Sequence, residues 1–207
     1  GPLAWIAQLG ALDERIRIVH GVWLEDEEIA ALGRAGGGLI HCPGSNLFLG
    51  DGIAPVPKYL QAGVTVTLGC DSGSANNRLC LFDEMRLAAT LQKGLAGNGA
   101  ALTATDVFMM GTANGEHVTG LPVGKLAPGY RADIVLLRLR DLSLQPPHDL
   151  VRNLVYALNH RAIASVYVNG ELVVRDGLLV RVPEEQIVAR VRALTEAWAH
   201  EAAQILS

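Results

Sequence analysis

Basic blocks, long apolar runs and paired cysteines are all missing from this 207-residue sequence. Lys and Arg total 17 against 21 Asp and Glu, giving a net charge of -4, and no stretch concentrates the positive charge. That removes the electrostatic footprint of a nucleic-acid binder or of a protein drawn to an anionic membrane. No apolar run reaches the roughly 18 residues that a spanning helix needs. The first residues also lack a charged-then-apolar leader pattern. The expected partners therefore include no nucleic acid and no membrane. Cys42, Cys70 and Cys80 form no Cys-x-x-Cys spacing, so neither a zinc knuckle nor a redox dithiol is indicated. Cys42 and Cys70 sit in or beside apolar runs, where a free cysteine behaves as a small buried hydrophobe. Reduced thiols of this kind make the cytoplasm the expected location. Internal repeats and low-complexity segments are absent too.

What is present is a chain with 50% hydrophobic residues, enough to bury a substantial core in one or two domains. Its first 95 or so residues alternate strand and helix patterns. Ile16 to Val19 is a β-branched run ending at His20. Leu24 to Arg34 has apolar residues at helical spacing behind acidic Glu25 to Glu28, which suit a helix N-terminus. Leu39 to Cys42 reads as a strand stopped by Pro43-Gly44, Pro57 to Ala62 as a short helix and Val64 to Leu68 as a third strand. Near-continuous apolar strands fit a parallel sheet covered on both faces. A long helix from Leu79 to Lys93 follows. His20, Cys42 and Asp71 end the three strands at spacings close to the about 30 residues of a barrel βα unit. A doubly wound sheet would read the same way.

After residue 101 the pattern changes. Thr103 reads as the N-cap of a helix from Ala104 to Met110, with Asp106 near its start. Ala132 to Leu139, Ala164 to Val168 and Glu171 to Val174 are β-type runs. Asn169-Gly170 joins the last two as the strongest hairpin signal in the chain, and Asp176-Gly177 offers a second turn. An amphipathic helix from about Glu184 to Leu206 ends the pattern.

Four stretches in this order carry a resemblance: His20-Gly21-Val22-Trp23-Leu24, His41-Cys42-Pro43-Gly44-Ser45-Asn46-Leu47, Gly50-Asp51-Gly52-Ile53-Ala54-Pro55-Val56-Pro57, and Cys70-Asp71-Ser72-Gly73-Ser74-Ala75-Asn76-Asn77. Phe82 to Leu87, Gly124 to Val135 and Val168-Asn169-Gly170 extend it. Together they are similar to the amidohydrolase superfamily, in the aminohydrolase branch that holds methylthioadenosine/S-adenosylhomocysteine, guanine and triazine hydrolases. The similarity covers essentially the whole chain. It departs from the pattern at Phe48, where a basic residue is common, at Cys70 in place of threonine, and at Ser72-Gly73 in place of Gly-Ala.

The resemblance implies an α/β fold, the C-terminal part of a metal-dependent (β/α)8 TIM-like barrel followed by part of a small β-sandwich and a C-terminal helix. The implied boundaries are 1–123, 124–182 and 183–207. It implies one divalent metal ion, zinc with iron as the alternative, a small-molecule heterocyclic substrate, and either a homo-oligomer or association with a missing N-terminal part. In the family two histidines of a His-x-His motif, a further histidine and an aspartate hold the metal. Asp71 matches the aspartate, while the histidine ligands would belong to sequence ahead of Gly1. His20 matches a histidine that contacts the hydrolytic water or the substrate.

Deamination of a heterocycle needs water to attack an electron-poor ring carbon while ammonia leaves. A divalent ion makes hydroxide available near pH 7. Asp71 would bind it through one oxygen and act as general base through the other. Ser45, Asn46 and Trp23 are the candidate substrate contacts. Plainer readings exist for each residue. Asp71 before Ser-Gly-Ser is an ordinary turn or cap, His20 an edge histidine, and Ser45 and Asn46 common turn residues. His41 reads as a strand-end histidine bonded to backbone, Asn76 and Asn77 as loop-ordering residues, and Glu84 and Arg86 as surface or inter-helix pairs. Two other functions also fit: a non-catalytic fragment or subunit that needs a partner chain, and a dechlorinating or amide-hydrolysing member of the same superfamily.

A partial barrel leaves strand edges unpaired and apolar helix faces open, which favours association. The chain alone is therefore expected not to persist as a monomer. A single monomeric peak in size-exclusion chromatography, together with a cooperative melt, would contradict this.

Overall fold

The computed structural model describes residues 1–205. The expected helix end at Leu206 lies outside the described residues. In chain order the elements are α1 (Pro2–Gln8), β1 (Arg17–Val19), α2 (Asp26–Arg34), β2 (Gly38–His41), α3 (Pro43–Leu49), α4 (Val56–Gln61), β3 (Thr65–Leu68), α5 (Gly73–Asn76), α6 (Leu81–Ala96), α7 (Ala104–Met110), α8 (Gly115–Thr119), β4 (Ile134–Leu137), α9 (Leu150–Tyr156), β5 (Ile163–Val168), β6 (Glu171–Arg175), β7 (Leu178–Leu179) and α10 (Glu184–Ile205). They form two compact units. The first holds residues 1–131 and 142–158, and the second holds residues 132–141 and 159 onward.

The first unit is an α/β layer on a parallel sheet of order β1-β2-β3. Val19 pairs with Ile40, and Ile40 with Thr67. The ladder runs on past the strands: His20 N–H donates to the Ile40 carbonyl and Gly69 N–H to the His41 carbonyl, both at 3.0 Å. The strand exits therefore emerge side by side. Leu39, Val64 and Val66 pack against Ile29 and Leu32 of α2, Tyr59 of α4, Met85 and Ala88 of α6, and Val107 and Met110 of α7. Each such burial is worth about 1.5–3 kcal/mol for a large side chain.

Two elements differ from the sequence expectation for a local reason. Pro43 does not merely stop β2. It occupies the first turn of α3, where its missing N–H costs nothing. The segment 142–158 returns to the first unit because α9 carries Val151, Val155 and Tyr156 onto the core, packed on α6 and α7. Asp149 caps it by accepting from Arg152 N–H.

Two acids near helix starts are buried. Glu28 stands in the first turn of α2, as expected of the acidic run, and also accepts N–H bonds from Leu3 at 2.9 Å and Glu25 at 3.3 Å, tying α1 to α2. Glu84, expected in a surface or inter-helix pair, is 1% exposed. Buried residues of α6 fall at 84, 85, 88, 89 and 92, so Glu84 shares the stripe of Met85 and Ala88.

The second unit is an antiparallel sheet of order β4-β5-β6-β7. Asn169 and Gly170 both adopt positive φ, 50° and 81°, as the type I′ hairpin between β5 and β6 demands. Asp176 and Gly177 do the same between β6 and β7, with φ of 52° and 82°. Among the described residues no helix is long and apolar enough to cross a membrane.

His41 ends β2 fully buried, and neither ring nitrogen has a hydrogen-bond partner among the described residues. This corrects the expectation of a backbone-bonded histidine. Burial, with His20 nearby, pushes its pKa down to about 4. The unfolded chain binds that proton near pH 6.5 and the folded one does not. Stability is therefore expected to fall by about 1.4 kcal/mol per pH unit between those two values as the solution is acidified. Thermal melts at fixed protein concentration check this, and His41→Leu should flatten that part of the profile.

Candidate metal centre

The rim of the parallel sheet is built by two strand exits and one helix between them. His20 directly follows β1, and Asp71 lies three residues beyond β3. Both hold left-handed backbones, with φ of 69° and 61°. A non-glycine residue there carries roughly 1–2 kcal/mol of strain, a cost found most often at functional positions. The turns aim the two side chains at each other, and His20 Nε2 lies 3.8 Å from Asp71 Oδ2.

Helix α3 holds both. The Ser45 hydroxyl donates to Asp71 Oδ2 at 2.7 Å, and Asn46 Oδ1 lies 2.8 Å from His20 Nδ1. Ser72 N–H donates to Asp71 Oδ1 at 2.7 Å. With the Asn46 oxygen as acceptor, Nδ1 carries a ring hydrogen, and in the neutral ring Nε2 then turns a lone pair toward Asp71. Two electron-rich atoms then face one another across an open gap. The Ser45 hydroxyl and then the Ser72 N–H hold the Asp71 carboxyl below the usual carboxylate range despite some desolvation, and a positive charge on His20, when its ring is protonated, adds to this.

Ser45 and Asn46 were expected beside substrate. Both are buried, at 0% and 1% exposure, and their side chains reach Asp71 and His20 instead. Sequence spacing gave no sign of this because the segment read as a turn. Trp23 stands in the open, with its ring largely exposed, near the His20 turn.

Glu84 anchors α3, a role that the sequence did not reveal. Its Oε2 accepts from Gly44 N–H at 2.8 Å and its Oε1 from Asn76 Nδ2 at 2.8 Å. Asn76 also donates to the Cys70 carbonyl at 2.8 Å, as a loop-ordering residue would. A Cβ at Gly44 would sit 2.4 Å from Glu84 Oε1, so only glycine lets α3 approach the carboxylate. Tyr59 adds a second anchor, donating from its hydroxyl to the Gly21 carbonyl at 2.7 Å beside His20.

An ionised carboxylate and an imidazole lone pair are donors that suit zinc or iron. The fit is partial. A catalytic zinc takes three protein ligands, and no third His, Cys, Asp or Glu comes within ligand range of these two among the described residues. Cys42 and Cys70 do not compensate. Among the described residues neither comes within ligand range of the pair, and burial pushes their thiols up to about 12 and 11.

Parallel βα units with an acid and an imidazole facing each other at the strands' C-terminal rim are the layout of a barrel hydrolase. The chain belongs to the amidohydrolase family, whose model matches residues 1–173. It is 40% identical over 192 residues to the 5-methylthioadenosine/S-adenosylhomocysteine deaminase of Moorella thermoacetica, covering 92% of this chain and 45% of that protein. The Pyrococcus abyssi enzyme of the same name is 36% identical, with 90% and 44% covered. Among solved structures, a zinc-bound adenosine deaminase from Xanthomonas campestris superposes with a TM-score of 0.88 at 31% identity, covering 95% of this chain and 45% of that one. A zinc complex of atrazine chlorohydrolase from Arthrobacter aurescens gives 0.85 at 30% identity, over 93% and 43%. The chain spans less than half the length of the curated relatives it matches.

Removing the Ser45 hydroxyl should raise the Asp71 pKa, since the lost bond favoured the charged form. Carboxyl-carbon NMR titration of Ser45→Ala against wild type reads this directly, and an unchanged Asp71 midpoint would refute the assigned contact.

Proposed function

We propose that this chain is the segment of a metal-dependent hydrolase that supplies one metal-binding carboxylate and the imidazole beside it, for hydrolytic deamination of a nitrogen heterocycle. The observation that carries the reading is the facing pair of Asp71 and His20, 3.8 Å apart on strained exits of β1 and β3, the two strands that flank β2. The deaminase names of its relatives support the leaving group, and the zinc-bound neighbours support zinc over iron.

Asp71 would hold the ion, with further ligands from outside the described residues. When bound, a divalent ion supplies the acidity that yields hydroxide from water near neutral pH. Asp71, kept ionised by Ser45 and Ser72, takes a proton from the attacking water as general base. His20 points Nε2 at the same space, with its ring fixed by Asn46, and hydrogen-bonds the attacking water or the ring. Ser45 and Asn46 thus act on the reaction through the residues they hold, while Trp23 offers an aromatic face to the substrate. The assignment of 1–123 to a barrel segment, 124–182 to part of a sandwich and 183–207 to a terminal helix belongs to the same reading. So do a cytoplasmic location and either a homo-oligomer or association with an N-terminal part.

The likeness to a chlorohydrolase favours dechlorination as the second reading, because the same acid and imidazole serve either leaving group. One assay separates the two. Protein carrying this segment, with its metal content measured, is offered aminopurines, methylthioadenosine and chlorotriazines, and ammonia and chloride are both followed. Ammonia release should predominate, and Asp71→Asn should lower it by at least about a thousandfold along with metal content. Turnover that survives both Asp71→Asn and chelation would end the proposal.

A further inference from the structure

A recess of about 330 Å³ lies among α6, α7 and α9, and no residue of the Asp71–His20 rim lines it. Its walls include Lys93 from the last turn of α6, Thr103 and Thr105 at the start of α7, and Asp149, Arg152 and Tyr156 at and along α9. All of them belong to the first unit. The volume falls at the lower end of the range, about 300–1,000 Å³, that small-molecule sites occupy.

Hydrogen-bond donors outnumber acceptors in this recess. Lys93 is half-buried, and its ammonium donates to the Tyr156 hydroxyl, 4.4 Å from the ring centre. No carboxylate pairs with it among the described residues. An ammonium has three hydrogens, and the phenol oxygen takes one of them. The phenol's own hydrogen has no acceptor among the described residues either. Arg152 adds a guanidinium whose Nε stands 3.9 Å from Asp149 Oδ2, beyond hydrogen-bond range. The other Asp149 oxygen is engaged, accepting from Arg152 N–H at 3.0 Å as the cap of α9. Two cations and a phenol therefore line the cavity against a single acid that is already half used.

A cation taken partly out of water calls for an anionic acceptor, and this recess supplies none for Lys93. The missing partner has to offer negative charge and several acceptor oxygens at once. A carboxylate brings two oxygens, whereas a phosphate group brings three and can meet the ammonium, the phenol O–H and the guanidinium separately. We propose that the recess is an anion site for a phosphate group, either the free ion or the end of a small phosphomonoester, held by Lys93, Tyr156 and Arg152. Its occupant would join the end of α6 to α9. The site is separate from the rim and stands or falls independently of the deaminase reading.

Calorimetric titration of protein carrying this segment with inorganic phosphate and with glycerol 3-phosphate, at constant ionic strength, tests the site. Saturable binding with a Kd below about 10 mM is expected. Lys93→Gln and Arg152→Gln should each weaken it about tenfold or more, because each removes a charged donor, and Tyr156→Phe should weaken it less. The melting temperature of the unsubstituted protein should rise with phosphate but not with chloride at matched ionic strength, and Lys93→Gln should abolish the rise. Tighter binding of glycerol 3-phosphate than of phosphate assigns the site to a phosphomonoester, and equal or weaker binding assigns it to the free ion. Arg152 is 70% exposed, so its replacement keeps the test readable if the Lys93 variant is unstable. Absence of saturable binding, or binding unchanged in both the Lys93→Gln and Arg152→Gln proteins, overturns the proposal.

Discussion

The rim depends on one buried carboxylate. Glu84 lies inside the core stripe of α6 and accepts the Gly44 N–H at the start of α3. An acid buried away from water is tolerable only when hydrogen-bonded, and the two bonds from Gly44 and Asn76 meet that need. The anchor fixes where α3 begins. The next two residues, Ser45 and Asn46, then reach in different directions, one to Asp71 and the other to His20. Removing the Glu84 carboxylate would free the helix start, and the acid and imidazole would lose their common reference.

Much of the architecture was legible in the sequence because it rests on local chemistry. Strand runs ending at His20 and Asp71, the capped helix after Thr103 and the Asn169-Gly170 hairpin all stand where patterning put them. The resemblance implied a metal-binding role for Asp71 and a water or substrate contact for His20, and the structure sets the two side chains 3.8 Å apart. Their working roles remain part of the proposal.

The unreadable parts were those set by tertiary contact. Pro43-Gly44 looks like a stop signal, and only the approach of Glu84 explains a helix with an obligatory glycine at its second position. Glu28 and Glu84 look like helix-surface acids until their backbone donors are known, although the phase of Glu84 with Met85 and Ala88 held a hint. Ser45 and Asn46 were noticed for their functional groups, but the residues they hold were not legible, because those partners lie 26 residues away in each direction.

The left-handed turns at His20 and Asp71 bear on how such a rim can vary. Besides glycine, only Asn, Asp and His adopt that conformation with any frequency. Three of those four side chains carry lone pairs suited to protons and cations. The bend that delivers a side chain to the rim thus acts as a filter on its identity, admitting mostly residues already equipped for hydrolytic work. Drift at these two points would tend to exchange one ligand-like group for another rather than fill the rim with hydrocarbon.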